Sequence, residues 1–311
     1  MSGGTAVRAE RRLAVPGALA AAPLRRFLLA HALPGAERHT DGVHTRTFPT
    51  AAGPVVADVD LGTAQRCEQV VVRLAVPEGV GGDAADELVE EVAGRVRRWL
   101  DLDGPHEAAE AALAADPRLA GLVAARPGLR VPRAVAGAET AVCTVLGQQV
   151  SLAAARTFAG RLIAAWGAPV GAGLAAFPTP AALAAAGPDA IRAASGVTGA
   201  RARTVHALAA ALADGLDLDA AAGDARAAAE AHAALLALPG IGPWTADYVA
   251  LRVFGDSDAF LAGDLVLRRA LGGVGAKEAL ALAERWRPWR GYALLHLWTA
   301  EVFADAPEPG R

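Results

Sequence analysis

Apolar and polar positions change rhythm along the chain. Between about residues 45 and 75 they fall into short strand-like runs, Thr45–Phe48, Val55–Leu61 and Gln69–Ala75. Ala84–Leu100 then places apolar residues three and four apart, the spacing of one helical face. After Asp103-Gly104-Pro105 the chain becomes alanine-rich. Helical segments such as Ala134–Leu146, Ser151–Trp166, Ala225–Ala237 and Pro243–Phe254 are separated there by proline and glycine. The pattern predicts a mainly α protein with a small N-terminal α+β domain. Its parts are a leader over 1–10, the α+β domain over 11–103, an all-helical domain over 104–305 and a polar tail over 306–311. The alanine-rich segments follow no fixed period, which argues against a repeat protein.

Composition changes this picture little. A chain of 311 residues is long enough for two domains and a substantial core. Hydrophobic residues make up 53%, but alanine supplies much of that, and no apolar stretch reaches the ~18 uncharged residues that suggest a membrane span. Arg11-Arg12 and Arg25-Arg26 precede apolar residues as in an export signal, but Pro16, Pro23 and the second arginine pair interrupt any apolar core. A cytoplasmic protein without a membrane partner is expected. Cys67 and Cys143 are far apart and lack metal-ligand spacing, and a disulfide is not expected in a reducing compartment. The net charge of −3 counts against a surface that grips many phosphates, unless charge is segregated on one face.

The most informative stretch is Leu238-Pro239-Gly240-Ile241-Gly242-Pro243-Trp244-Thr245-Ala246-Asp247-Tyr248. Two glycines allow a sharp turn and close approach to a ligand, and Pro243 opens a helix where its missing N–H is harmless. Helix, short loop and helix together place free amides and a positive helix end where phosphate oxygens can bind. Trp244 and Tyr248 are four apart and share one helical face, as core residues or as pocket walls. Asp264 precedes an apolar helical run, so it reads as a helix cap, as a reactive carboxylate, or as both.

This hairpin, with Asp264 about twenty residues beyond it, resembles the helix-hairpin-helix DNA glycosylase superfamily. The later run from Arg285 through Trp286, Trp289 and Tyr292 to Trp298 narrows the resemblance to the 3-methyladenine DNA glycosylase II, or AlkA, type, over about Leu13 to Phe303. The resemblance implies the helix-hairpin-helix glycosylase fold and a catalytic Asp264, with Asp247 as a weaker rival. It also implies a pocket of Trp244, Tyr248 and Trp298 that receives an extruded, alkylated base from double-stranded DNA. Trp286 and Trp289 are assigned to packing. DNA contacts are expected from Gly240, Ile241, Gly242, Thr245, Gln148, Gln149 and Ser151. Gln149 stands at the tip of the intercalating loop, where the family pattern has an apolar leucine, and Val150 is its alternative. Leu265 likewise replaces a tyrosine. The carbonyls of Leu236, Leu238 and Ile241 are expected to hold a sodium or potassium ion. No cofactor is otherwise required, and two cysteines cannot hold the four-cysteine iron–sulfur cluster of some relatives.

Bifunctional relatives carry a Schiff-base lysine at the position of Trp244. The only lysine here, Lys277, falls in another helix, so a monofunctional enzyme is expected; the resemblance implies a monomer. The alternative is a non-catalytic, lesion-binding helix-hairpin-helix protein. Such a protein has no need of Asp264 or an aromatic pocket.

Overall fold

The computed structural model describes residues 8–303, apart from residues 65 and 78. Five antiparallel strands, β1 (Arg8–Ala20), β2 (Glu37–Thr40), β3 (Val43–Phe48), β4 (Val55–Asp60) and β5 (Arg66–Ala75), form one sheet in the order β1-β5-β4-β3-β2. Helix α1 (Ala21–His31) joins β1 to β2, and α2 (Asp83–Trp99) packs Val92, Val96 and Trp99 into the core beside β1 and β5. The three expected strands and the expected helix are present. β1, α1 and β2 were not legible. The register of β1 against β5 breaks between Ala14 and Leu19, around Pro16 and Gly17, so its alternation is lost midway. β1 also takes residues 8–10 from the expected leader. Residues 1–7 and the expected tail lie outside the described residues.

The rest is helical: α3 (His106–Leu113), α4 (Ala120–Ala125), α5 (Gly137–Leu146), α6 (Leu152–Trp166), α7 (Pro180–Ser195), α8 (Gly199–Ala213), α9 (Ala225–Leu236), α10 (Pro243–Val249), α11 (Leu265–Ala270), α12 (Ala276–Ala283) and α13 (Arg290–Trp298). A two-strand hairpin, Pro169–Gly171 with Leu174–Ala175, interrupts it after α6. The helix starts follow capping chemistry. The side chains of Ser151, Thr179, Asp224 and Asp264 accept amides of the first turns of α6, α7, α9 and α11. Among the described residues no helix is long and apolar enough to cross a membrane.

Sheet and helices share one apolar core, from Leu13 to Phe303. Polar knots tie them together. The guanidinium of buried Arg130 donates to the carbonyls of Pro16 and Ala18 in β1 and of Asp101 and Leu102 after α2. Arg46 of β3 forms an ion pair with Glu139 of α5 at 2.7 Å and with Glu37 of β2 at 3.3 Å. Glu37 also pairs with buried His44 at 2.7 Å. Burial pushes the Glu139 carboxyl up. Burial acts the same way on Glu37, but Arg46 and His44 together outweigh it and hold that carboxyl down.

Candidate active site

α9, the turn after it and α10 form the hairpin that the sequence predicts. Gly240 has φ +82°, and a Cβ there would lie 2.1 Å from Thr204 Oγ1, so both conformation and space require glycine. Gly242 meets neither demand. Its role is to precede Pro243 at the helix start. Among the described residues the Gly240 and Gly242 amides donate to no backbone carbonyl, which leaves them able to bind an anion. Ile241 and Thr245 do not reach outward. Ile241 is buried with its amide on Leu238 O, and Thr245, 3% exposed, has its amide on Gly242 O. Thr245 Oγ1 and Gly240 O instead accept hydrogen bonds from Gln148 Nε2, both at 3.0 Å. Gln148 and Thr245, expected on DNA, therefore lock the loop between α5 and α6 to the hairpin, and Arg201 fixes that loop further through Gln148 O.

Gln149 sits in the left-handed region at φ +54° on this loop and is exposed, as is Ser151, whose hydroxyl caps α6. Beside them Val150 and Leu152 are exposed apolar side chains that also line the cavity described next. Leu238 O accepts the Ile241 amide, whereas the Leu236 and Ile241 carbonyls accept no backbone amide among the described residues. Their free lone pairs suit a monovalent cation.

Trp244 and Tyr248 of α10 stack on each other, with ring centroids 5.5 Å apart and planes at 24°. A base between two rings needs two stacking gaps of ~3.5 Å, so no base fits between this pair. Trp298 of α13 lies across from Tyr248, centroids 6.3 Å apart. Asp264 caps α11 and ties these walls together. Its Oδ1 accepts from Leu267 N at 2.8 Å and Trp298 Nε1 at 2.9 Å, and its Oδ2 from Trp244 Nε1 at 3.2 Å. Three donors aimed at one carboxyl match the ionised, acceptor-only form. Asp247 lies elsewhere, paired with His232 of α9 at 3.0 Å. Trp286 is buried against Phe260 and Trp289 packs on Tyr292, as packing residues should. Lys277 is exposed on α12, outside the walls of the cavity.

These walls enclose one end of a cavity of about 360 Å³. Its other walls include residues for which the sequence pattern named no role in the site. Phe27 and His31 of α1 stack on each other at 4.0 Å and line it, as do Glu37, Arg46 and Glu139. Burial, helped by neighbouring Arg252, pushes the His31 imidazole down to about 3, so it is neutral at pH 7. The Phe27–His31 spacing of four was the one available signal, but it has no meaning until α1 is recognised as a helix. Arg252 was also missed. It lies on the π-helical turn Ala250–Phe254 that continues α10, only 8% exposed, with its guanidinium 4.7 Å from the Phe27 ring centroid and 5.4 Å from that of Tyr248.

The chain is similar to known proteins along most of its length. Residues 10–136 match the AlkA N-terminal domain family, and residues 142–287 match the HhH-GPD superfamily of base excision DNA repair proteins. The chain is 33% identical to the DNA-3-methyladenine glycosylase 2 of Escherichia coli, over 88% of this chain and 92% of that one. It is 45% identical to a probable bifunctional transcriptional activator/DNA repair enzyme AlkA of Mycobacterium tuberculosis, over 88% of this chain. There it spans about half, 53%, of the relative's length. The solved 3-methyladenine DNA-glycosylase of Archaeoglobus fulgidus superposes with a TM-score of 0.77 at 22% identity, over 94% of this chain and 99% of that one.

Proposed function

The chain belongs to the HhH-GPD superfamily of base excision DNA repair proteins, in its AlkA-type 3-methyladenine DNA glycosylase family, and from that premise we propose that it is a monofunctional glycosylase. It removes alkylated purines such as 3-methyladenine and 7-methylguanine from double-stranded DNA and leaves an abasic site. The observation that carries this reading is the Asp264 carboxylate, held by three N–H donors in the wall of an aromatic-lined cavity.

Breaking the C1′–N bond builds positive charge on the sugar, and a fixed carboxylate stabilises that charge without having to reorganise. Water supplies the oxygen that ends on C1′, and Asp264 is the group placed to orient it. The extruded base enters against the exposed face of the aromatic cluster and not between Trp244 and Tyr248, which are in contact. N3- or N7-alkylation makes the base cationic, so the π faces attract it and it departs as a neutral molecule. Trp244 has no amine with which to form a Schiff base, which supports the absence of strand cleavage. The Gly240 and Gly242 amides bind a backbone phosphate. The free Leu236 and Ile241 carbonyls, with Leu238, would hold a sodium or potassium ion whose charge adds to that grip. The protein acts as a monomer in the cytoplasm.

Asp264→Asn keeps the helix cap and removes the charge. It should lower single-turnover base release at least a hundredfold while abasic-site DNA is still bound, and near wild-type release would refute the assignment. Borohydride should trap no covalent adduct with substrate DNA; efficient trapping would contradict a monofunctional enzyme.

A further inference from the structure

We infer that the Tyr248 hydroxyl is the hydrogen-bond donor to the departing base, turned toward it by Arg252. This inference rests on the glycosylase reading above. The three aromatic walls carry three polar handles. Trp244 and Trp298 each spend their indole N–H on Asp264, on the sugar side of the reaction. Tyr248 does not.

Arg252 Nη1 lies 2.6 Å from Tyr248 Oη. A guanidinium can only donate, so in this pair the tyrosine oxygen accepts and its own proton must point elsewhere. Among the described residues no other polar partner lies within hydrogen-bond distance of Oη. Tyr248 lines the cavity, so the free O–H serves whatever fills it. Trp244 and Arg252, whose centres lie 5.5 Å and 5.4 Å from that of the Tyr248 ring, fix the ring and with it the hydroxyl.

Arg252 is itself built in. It is buried, its Nε donates to Pro132 O, and among the described residues no carboxylate lies within ion-pair distance of it. A buried cation without an acid partner is costly as mere scaffolding. Its position on a π-helical turn, a backbone form frequent at functional sites, points the same way.

The donor matters for one class of base. A cationic alkylated purine leaves as a neutral molecule and needs little help. A neutral purine takes the electron pair of the C1′–N9 bond with it and becomes an anion, shared by its ring nitrogens and carbonyl oxygen. The Tyr248 O–H stabilises that anion by a hydrogen bond. Water then adds its oxygen to C1′ and its proton ends on the base, so the products are an abasic sugar and a neutral free base. Tyr248 thus extends the reaction to neutral, carbonyl-bearing purines, and Arg252 is its positioning residue.

Single-turnover release from duplexes with one hypoxanthine, a neutral purine, is compared with release from duplexes with one 7-methylguanine. Tyr248→Phe keeps the ring. The expected result is that hypoxanthine release falls at least tenfold more than 7-methylguanine release. Arg252→Met should shift the ratio the same way, and Arg252→Lys, which can still donate to Oη, should restore part of it. An equal loss on both bases in Tyr248→Phe would overturn the inference and leave the glycosylase reading intact. Release of neither base by the wild-type protein would overturn that reading and the inference with it.

Discussion

Gly240 shows what a single residue settles at this site. Its φ of +82° and its contact with Thr204 leave no room for a side chain, whereas Gly242 has open space. Gly240→Ala should cost about 1–3 kcal/mol of stability and weaken binding to damaged and undamaged DNA alike. Gly242→Ala should leave stability within about 0.5 kcal/mol. Denaturant titration of the two variants checks this, and equal losses would show that the turn does not depend on Gly240 in this way. Both glycines were legible as a turn in the sequence, but which of them was indispensable was not, because the obstacle is Thr204 of α8. Gln148 and Thr245 carry the same lesson. Their residue types suit DNA contact, but folding turns them toward each other.

Among the elements, the helices with capping residues and apolar faces were readable, and the hairpin was read nearly to the residue. β1 and α1 were not, because a bulge at Pro16-Gly17 and alanine-rich composition erase their periods. That miss hid the cavity wall formed by Phe27 and His31. The strand-to-helix clamp of Arg46 on Glu37 and Glu139 was equally hidden, since it joins residues up to 93 positions apart. Truncating the cation should leave buried Glu139 without its partner and buried Glu37 with His44 alone. Arg46→Met alone is therefore expected to cost about 3–5 kcal/mol, and combined replacement of Glu37 and Glu139 by apolar residues should recover part of that loss. A urea titration in which Arg46→Met unfolds at the wild-type midpoint would contradict the clamp.

For the whole molecule, burial of histidine sets the response to acid. His296 of α13 is buried, and its imidazole is pushed down to about 4 by that burial and by Arg126, from an ordinary value of 6.5. The unfolded chain therefore binds a proton that the folded chain refuses, and stability contributed by neutral His296 is lost as pH falls from about 6.5 toward 4. At pH 5 the loss is about 2 kcal/mol from this residue, and His31 adds to it in the same direction. Urea midpoints should fall between pH 7 and 5, and less steeply in His296→Phe; an unchanged slope would remove His296 from the account. The same fold scale explains why the sequence pointed to the candidate site residues better than to the container. Asp264, Trp244, Tyr248 and Trp298 sit within or after one hairpin, whereas the cavity is closed by the sheet and α1. Release of alkylated bases by this container is measured by incubating the protein in excess with methylated duplex DNA. Free bases are scored by chromatography and strand breaks before and after alkali. Released 3-methyladenine or 7-methylguanine is expected, with breaks only after alkali. Tight binding to the same DNA without any released base would contradict the glycosylase reading.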